Sequence, residues 1–217
     1  MMNSGKLVNF GIRCVALPLL IALPLAAQGY YPHHNFTFGA GAGRPRGDLG
    51  PFLDDAPGVS IGYGYRFLRY LQADAGLDIL FGAAGVRDFL ITEVGDFRIK
   101  DREYFLPFGG RAIAPFFDGR LLISGGAGGV WLKYHERINQ PSYTYRIDCP
   151  ICTSRSGWGY YALANASYFL DSYQHFSAGV TVREIRGHTN GEPLGDVPGF
   201  KTKDRWLELQ AQFGFSF

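Results

Sequence analysis

Three groups of residues in this chain have types and spacings that could support chemistry. His175-Phe-Ser177 sets an imidazole and a hydroxyl two positions apart, which in a strand puts them on one face. Such a pair makes a nucleophile and its base when a carboxylate orients the imidazole. The nearest acid along that strand, Glu184, has the opposite facing, so the set lacks its third member. Cys149-Pro-Ile-Cys152 offers two thiols. In an oxidising compartment they pair as a disulfide. A redox centre would need a βαβ context that is absent, and zinc would need two more ligands where only distant His135 and His188 stand. The third group is six charges: Arg66, Arg111 and Arg183 with Asp74, Asp78 and Glu208. These acquire meaning only when the elements that carry them are placed.

The clearest element is the last one. Leu207, Leu209, Ala211, Phe213, Phe215 and Phe217 alternate with Glu208, Gln210, Gln212, Gly214 and Ser216. Strict period 2 is a strand with one apolar and one polar face, here long enough to cross a bilayer core when tilted. A carboxy-terminal amphipathic strand that ends in phenylalanine resembles the signal of bacterial outer-membrane β-barrels. The resemblance implies that Phe213, Phe215 and Phe217 are read by the barrel-insertion machinery.

The opposite end agrees. Lys6 and Arg13 precede an apolar run from Val15 to Leu25, then small Ala26 and Ala27 and polar Gln28. This is the order of a secretory signal peptide, residues 1–27, with the remaining residues 28–217 forming one domain. Cys14 leaves with it. Loss of Lys6 and Arg13 leaves 19 basic against 19 acidic residues, a balance that gives nucleic acid no reason to bind. No later stretch reaches 18 consecutive apolar residues, so a helical membrane protein is excluded. If the chain enters a membrane it must close into a barrel, because open sheet edges cannot persist in lipid.

Eight alternating segments can be placed: 35–42, 58–67, 72–81, 104–114, 121–134, 158–169, 176–183 and 205–217. The glycine-rich centre of the fifth leaves its facing open. The links after the second, fourth and sixth are short. The others, 43–57, 82–103, 135–157 and 187–204, are long. Short turns on one side and long loops on the other are the habit of outer-membrane barrels. Tyr63, Tyr65, Phe67, Tyr168, Phe169, Phe176, Phe215 and Phe217 gather beside the short links. Trp131, Trp158, Trp206, Tyr104, Tyr134 and Tyr160 gather at the long-loop ends. Two such girdles are expected at two bilayer interfaces.

The expected architecture is therefore all-β: an eight-stranded antiparallel up-and-down transmembrane barrel, monomeric, in the outer membrane of a Gram-negative envelope. Its inward positions include the six charges, and the lumen of eight strands is just wide enough for side chains to fill. Three cations and three anions there should pair. A charged plug is the reading this favours; a narrow conduit for protons, ions or small solutes is the alternative.

The mature length, the alternation and Phe217 together resemble the small outer-membrane barrels of the OmpA, OmpX and OmpW type. Gly62-Tyr-Gly-Tyr-Arg-Phe67 and Leu106-Pro-Phe-Gly-Gly110 share their character. The resemblance implies a structural or surface-interaction role, with outer-membrane lipid and lipopolysaccharide as surroundings and a loop ligand of unknown kind. It implies no cofactor, no metal and no catalysis. No peptidoglycan-binding segment follows the last strand, so tethering is not implied, and no apolar lumen segment marks the OmpW branch. His175-Phe-Ser177 resembles the His-x-Ser element of lipid A deacylases, but Ala178 stands where that family carries an oxyanion-supporting asparagine. His33 and His34 read as a lead-in to the first strand, and Gly39–Gly43 as a close-packing run rather than a phosphate loop.

Overall fold

The computed structural model describes residues 31–82, 89–93, 95–139, 147–150, 152–191, 199 and 201–217. The expected signal peptide lies outside them. Nine strands follow in order: β1 (His34–Gly47), β2 (Ala56–Leu68), β3 (Leu71–Phe81), β4 (Phe89–Thr92), β5 (Gly95–Phe116), β6 (Leu121–Ile138), β7 (Ser154–Phe169), β8 (Phe176–Gly191) and β9 (Lys201–Ser216). Each long strand pairs antiparallel with the next, and β3 passes over β4 to pair with β5. β9 returns to β1 from Asn35↔Ser216 to Gly47↔Asp204. Eight strands thus form a closed barrel, while β4 is a short hairpin arm on the start of β5.

Closure follows from the period-2 pattern. On the outer wall Val59, Ile61, Tyr63, Leu106, Phe108, Val180, Val182, Leu209 and Phe213 are each between 38% and 56% exposed. A soluble protein does not present a continuous apolar ring of this size to water. Around a closed barrel it is the hydrocarbon-facing belt.

The tight links lie at one end: Arg69–Tyr70, Phe117–Arg120 and Leu170–His175. Phe117, Asp118 and Gly119 take left-handed φ values of 51°, 56° and 83°. Aspartate and glycine tolerate that conformation, and it turns the chain sharply.

At the other end the strands run further than their alternation suggests. β1 continues to Gly47, β5 starts at Gly95, β6 continues to Ile138, β7 starts at Ser154, β8 reaches Gly191 and β9 starts at Lys201. Much of what reads as loop is therefore paired strand. Beyond the belt the outward side chains meet water and become charged or small, so the pattern fades although the ladder does not. The inward side chains still pack. Leu90, Ile99 and Ile138 form a small core in this rim, with Phe97, Ile147, Cys149 and Cys152 against it.

Glycine shapes the inner wall where side chains must cross it. Gly109 and Gly128 are cross-strand partners, and Gly128 also faces Tyr161. A Cβ on Gly109 would strike the carbonyl of Ala127 and come within 2.8 Å of the Tyr161 hydroxyl. The pair is a bare floor over which the Tyr161 ring lies. Gly109→Val should therefore destabilise the folded barrel by about 1–3 kcal/mol, the usual cost of overpacking. Urea unfolding in detergent micelles would measure it, and an unchanged midpoint would contradict this packing.

Candidate functional site

The lumen collects the charges because they occupy inward positions on neighbouring strands. Gln72, Asp74 and Asp78 lie on β3, Arg111 on β5, Arg183 on β8 and Glu208 on β9. Arg183 and Glu208 are directly opposite one another. The Arg183 guanidinium bonds to Asp78 across the lumen and stands 3.3 Å from Glu208 Oε2. Arg111 Nε donates to Asp74 Oδ2 at 2.6 Å, and Gln72 donates to the other oxygen of Asp74 at 2.6 Å. The Tyr161 ring lies beneath Arg183, 5.4 Å from its guanidinium carbon. Beside these pairs Asn165, Thr181 and Gln212 form a hydrogen-bonded triad, and Ser60 donates to Gln210 at 2.8 Å. Two arginines thus serve three acids.

Arg66 stands apart from them. It is buried, and Gln72, not an acid, is its cross-strand neighbour. Its guanidinium lies 5.6 Å from the Tyr31 ring centre, and no carboxylate reaches it among the described residues. Asp74, one outward-inward period along β3 from Gln72, is paired with Arg111 instead.

The lumen is not charged throughout, which corrects the sequence expectation. Above the ion pairs Leu80, Phe105, Val130, Leu132, Tyr134, Ile185 and Trp206 fill it, joined by Leu49 and Leu53 from the β1–β2 connection and Ala56 at the start of β2. Trp206 Nε1 donates to the Tyr134 hydroxyl at 2.9 Å. Trp206 and Tyr134 therefore belong to this plug and not to the outer girdle. The parity of β9 requires it: with Leu207 and Leu209 outward, Trp206 shares the inner face with Glu208. Below the ion pairs Ile113, Leu122 and Phe169 make a second apolar plug, so Phe169 also leaves the girdle assigned to it. Trp158 and Tyr160 remain on the outer wall, 63% and 60% exposed. The cavity left around Asp74, Arg111, Tyr161 and Arg183 measures about 30 Å³, room for about two waters.

The other candidate groups can be placed too. Ser177 points inward and is buried, whereas His175 precedes β8 beside the turn. An acid does approach the imidazole: Asp171 Oδ2 is 3.6 Å from His175 Nδ1. No hydrogen bond joins His175 to Ser177 among the described residues, so the three do not form a relay. Asp171 instead accepts the backbone N–H groups of Phe176 at 2.8 Å and His175 at 3.1 Å. Cys149 and Cys152 form a disulfide in the rim. Phe213, Phe215 and Phe217 line the outer wall in contact with Phe176 and His34. Among the described residues no cluster of His, Cys, Asp or Glu is placed to hold a metal ion.

No protein-family description matches the chain, and no curated protein does. Solved structures do. Neisserial surface protein A is similar over 85% of this chain and 97% of its own, with a TM-score of 0.53 and 13% identity. The fold is that of the small outer-membrane β-barrels. The attachment invasion locus protein of Yersinia pestis, solved with the heparin analogue sucrose octasulfate, is similar over 86% of this chain and 100% of its own, at TM-score 0.49 and 16% identity. The outer-membrane protease OmpT of Escherichia coli covers 88% and 99%, at 0.44 and 8% identity.

Two predictions arise from this barrel's polar residues. Arg183→Met strands Asp78 and Glu208 without a counter-cation and should cost about 3–5 kcal/mol, whereas Arg66→Met removes a buried charge with no acid partner and should change stability by less than about 1 kcal/mol. Urea midpoints of the two variants would show the contrast, and equal losses would contradict it. In the β7–β8 turn the Phe176 N–H, then that of His175, holds the Asp171 carboxyl below its ordinary value. A depressed folded value means the turn gains stability fully above the ordinary aspartate value of about 3.9, and loses it as pH falls through the folded one. Hydrogen-exchange protection of the Phe176 amide should therefore drop in acid below about pH 4. Protection that is independent of pH would contradict the assignment.

Proposed function

We propose that this protein is a non-conducting, non-catalytic outer-membrane barrel, monomeric, whose work is done at its extended outer rim. The filled lumen is the observation that carries this reading. Two apolar plugs bracket a layer of ion pairs, and the space between them holds about two waters. A conduit for ions would need a continuous wet path, and three successive layers obstruct it.

The rim supports the second half of the proposal. β8 continues from Arg183 to Gly191 beyond the last apolar outward position, Val182. At about 3.3 Å per residue that is about 30 Å of strand before tilt. The rim is also braced. Glu136 accepts both the backbone N–H and the hydroxyl of Thr153, at 2.7 and 2.8 Å, and the Cys149–Cys152 ring packs with Ile99 and Ile138. A stiff, paired platform loses little entropy on meeting a partner. We further propose that the exposed Phe213, Phe215 and Phe217 edge serves the insertion machinery during assembly.

Planar-bilayer recording tests the proposal. The purified protein should give no reproducible single-channel steps at moderate voltage. Steps of uniform amplitude, abolished when Arg183 is changed, would make it a channel instead.

A further inference from the structure

We propose that the outer wall of β1, β8 and β9, just above the apolar belt, binds the phosphate groups of the outer leaflet's glycolipid, lipopolysaccharide. The argument starts from register. Arg46 is the cross-strand partner of Arg205, Arg205 of Arg186, and Arg186 of Tyr160. All four have outward parity, so three guanidinium groups stand side by side on adjacent strands. The next row outward continues the pattern with Lys203, His188 and Trp158, again direct partners.

Like charges placed directly opposite one another destabilise a sheet, and this row is only partly compensated. Glu184, one row closer to the belt, is the acid that answers it. Its Oε1 accepts Arg186 Nε at 2.9 Å and Arg205 Nε at 2.6 Å. The Arg46 side chain has no ion pair or hydrogen bond among the described residues. Other acids nearby are committed elsewhere. Asp204 turns inward to Thr189 and Thr202, Asp55 is held by Arg44, and Asp48 accepts the backbone N–H of Lys203 at 3.4 Å. The arginines remain accessible: the side chains of Arg186 and Arg205 are 48% and 41% exposed. An anion is what this surface lacks, and guanidinium rows suit phosphate because each fork can donate two parallel bonds.

Height and shape select a lipid over a soluble anion. Below the row come first Arg44, Leu207 and Glu184, and then, one row further down, Ala42, Leu209 and Val182 on the wall that faces acyl chains. Trp158 and Tyr160 flank it, the aromatic types that favour the interface. A groove of about 420 Å³ runs there, lined by Trp158, Tyr160, Arg186, Lys203 and Arg205 and also by Asp48 and the inward-turned Asp204. A molecule with phosphates on a sugar head and acyl chains beneath meets cations, aromatics and the apolar wall in that order. The proposal does not depend on whether the lumen conducts.

The test uses the full processed chain in detergent micelles and reads tryptophan fluorescence on titration. The probes are bisphosphorylated lipid A and the same lipid enzymatically stripped of its phosphates. The phosphorylated form should bind about tenfold more tightly. The variant Arg46→Gln/Arg186→Gln/Arg205→Gln should lose that preference. Arg46→Gln alone, which breaks no ion pair of the barrel, should reduce it and decides the matter if the triple variant misfolds. Equal affinity for both lipids overturns the proposal, as does full preference retained in the folded triple variant or, failing that, in Arg46→Gln. Tighter binding of a soluble heparin oligosaccharide than of phosphorylated lipid A at these arginines overturns it in favour of a soluble polyanion.

Discussion

The pairing of β1 with β9 is the constraint on which the rest depends. Hydrocarbon offers no partner to a backbone amide, so a sheet can enter it only when its two edges satisfy each other. Here they do so over the whole run from Asn35↔Ser216 to Gly47↔Asp204, and reciprocal bonds between His34 and Phe217, at 2.8 and 3.0 Å, extend it to the last residue. Once that seam closes, every strand must divide its side chains between lipid and lumen, and the period-2 alternation becomes obligatory rather than merely favourable.

Closure at eight strands also dictates the interior. The lumen is too narrow to hold bulk water, so the charges placed there are favoured when a protein partner meets them. Among the described residues Arg66 and Glu103 are left without a counter-charge in contact. Arg183 reconciles Asp78 with Glu208, and Arg111 on β5 neutralises Asp74 on β3. The apolar plugs then exclude the solvent that would weaken those pairs. This arrangement inverts a soluble protein within the membrane and restores the ordinary order above it. In the rim, Leu90, Ile99 and Ile138 face inward while charges face water.

Much of this was legible in the sequence, and the limits have physical causes. The terminal strand declared itself because Leu207 to Phe217 alternates without exception, and the inward facing of Asp74, Arg111, Arg183 and Glu208 follows from the same rule. Trp206 was misplaced because its residue type suggested the membrane interface, although its parity with Glu208 already pointed inward. Phe169 was misplaced in the same way. The rim was invisible as strand because its outward residues, such as Arg46, Lys203 and His188, carry no apolar period. The isolation of Arg66 could not be foreseen, since which arginine reaches Asp74 depends on the stagger between β2, β3 and β5. The three-arginine row needs the β1–β9–β8 register, which no single strand encodes.

Accessibility measured along β9 tests the central claim most directly. With Cys149 and Cys152 replaced by serine, nitroxide labels would be placed one at a time from Leu209 to Phe213 in the folded protein in lipid. Labels at positions 209, 211 and 213 should collide freely with oxygen dissolved in the bilayer, and labels at 210 and 212 should be shielded from it. A profile without that alternation, or one in which all five positions are equally open to a water-soluble relaxation agent, would contradict a closed barrel whose wall faces hydrocarbon.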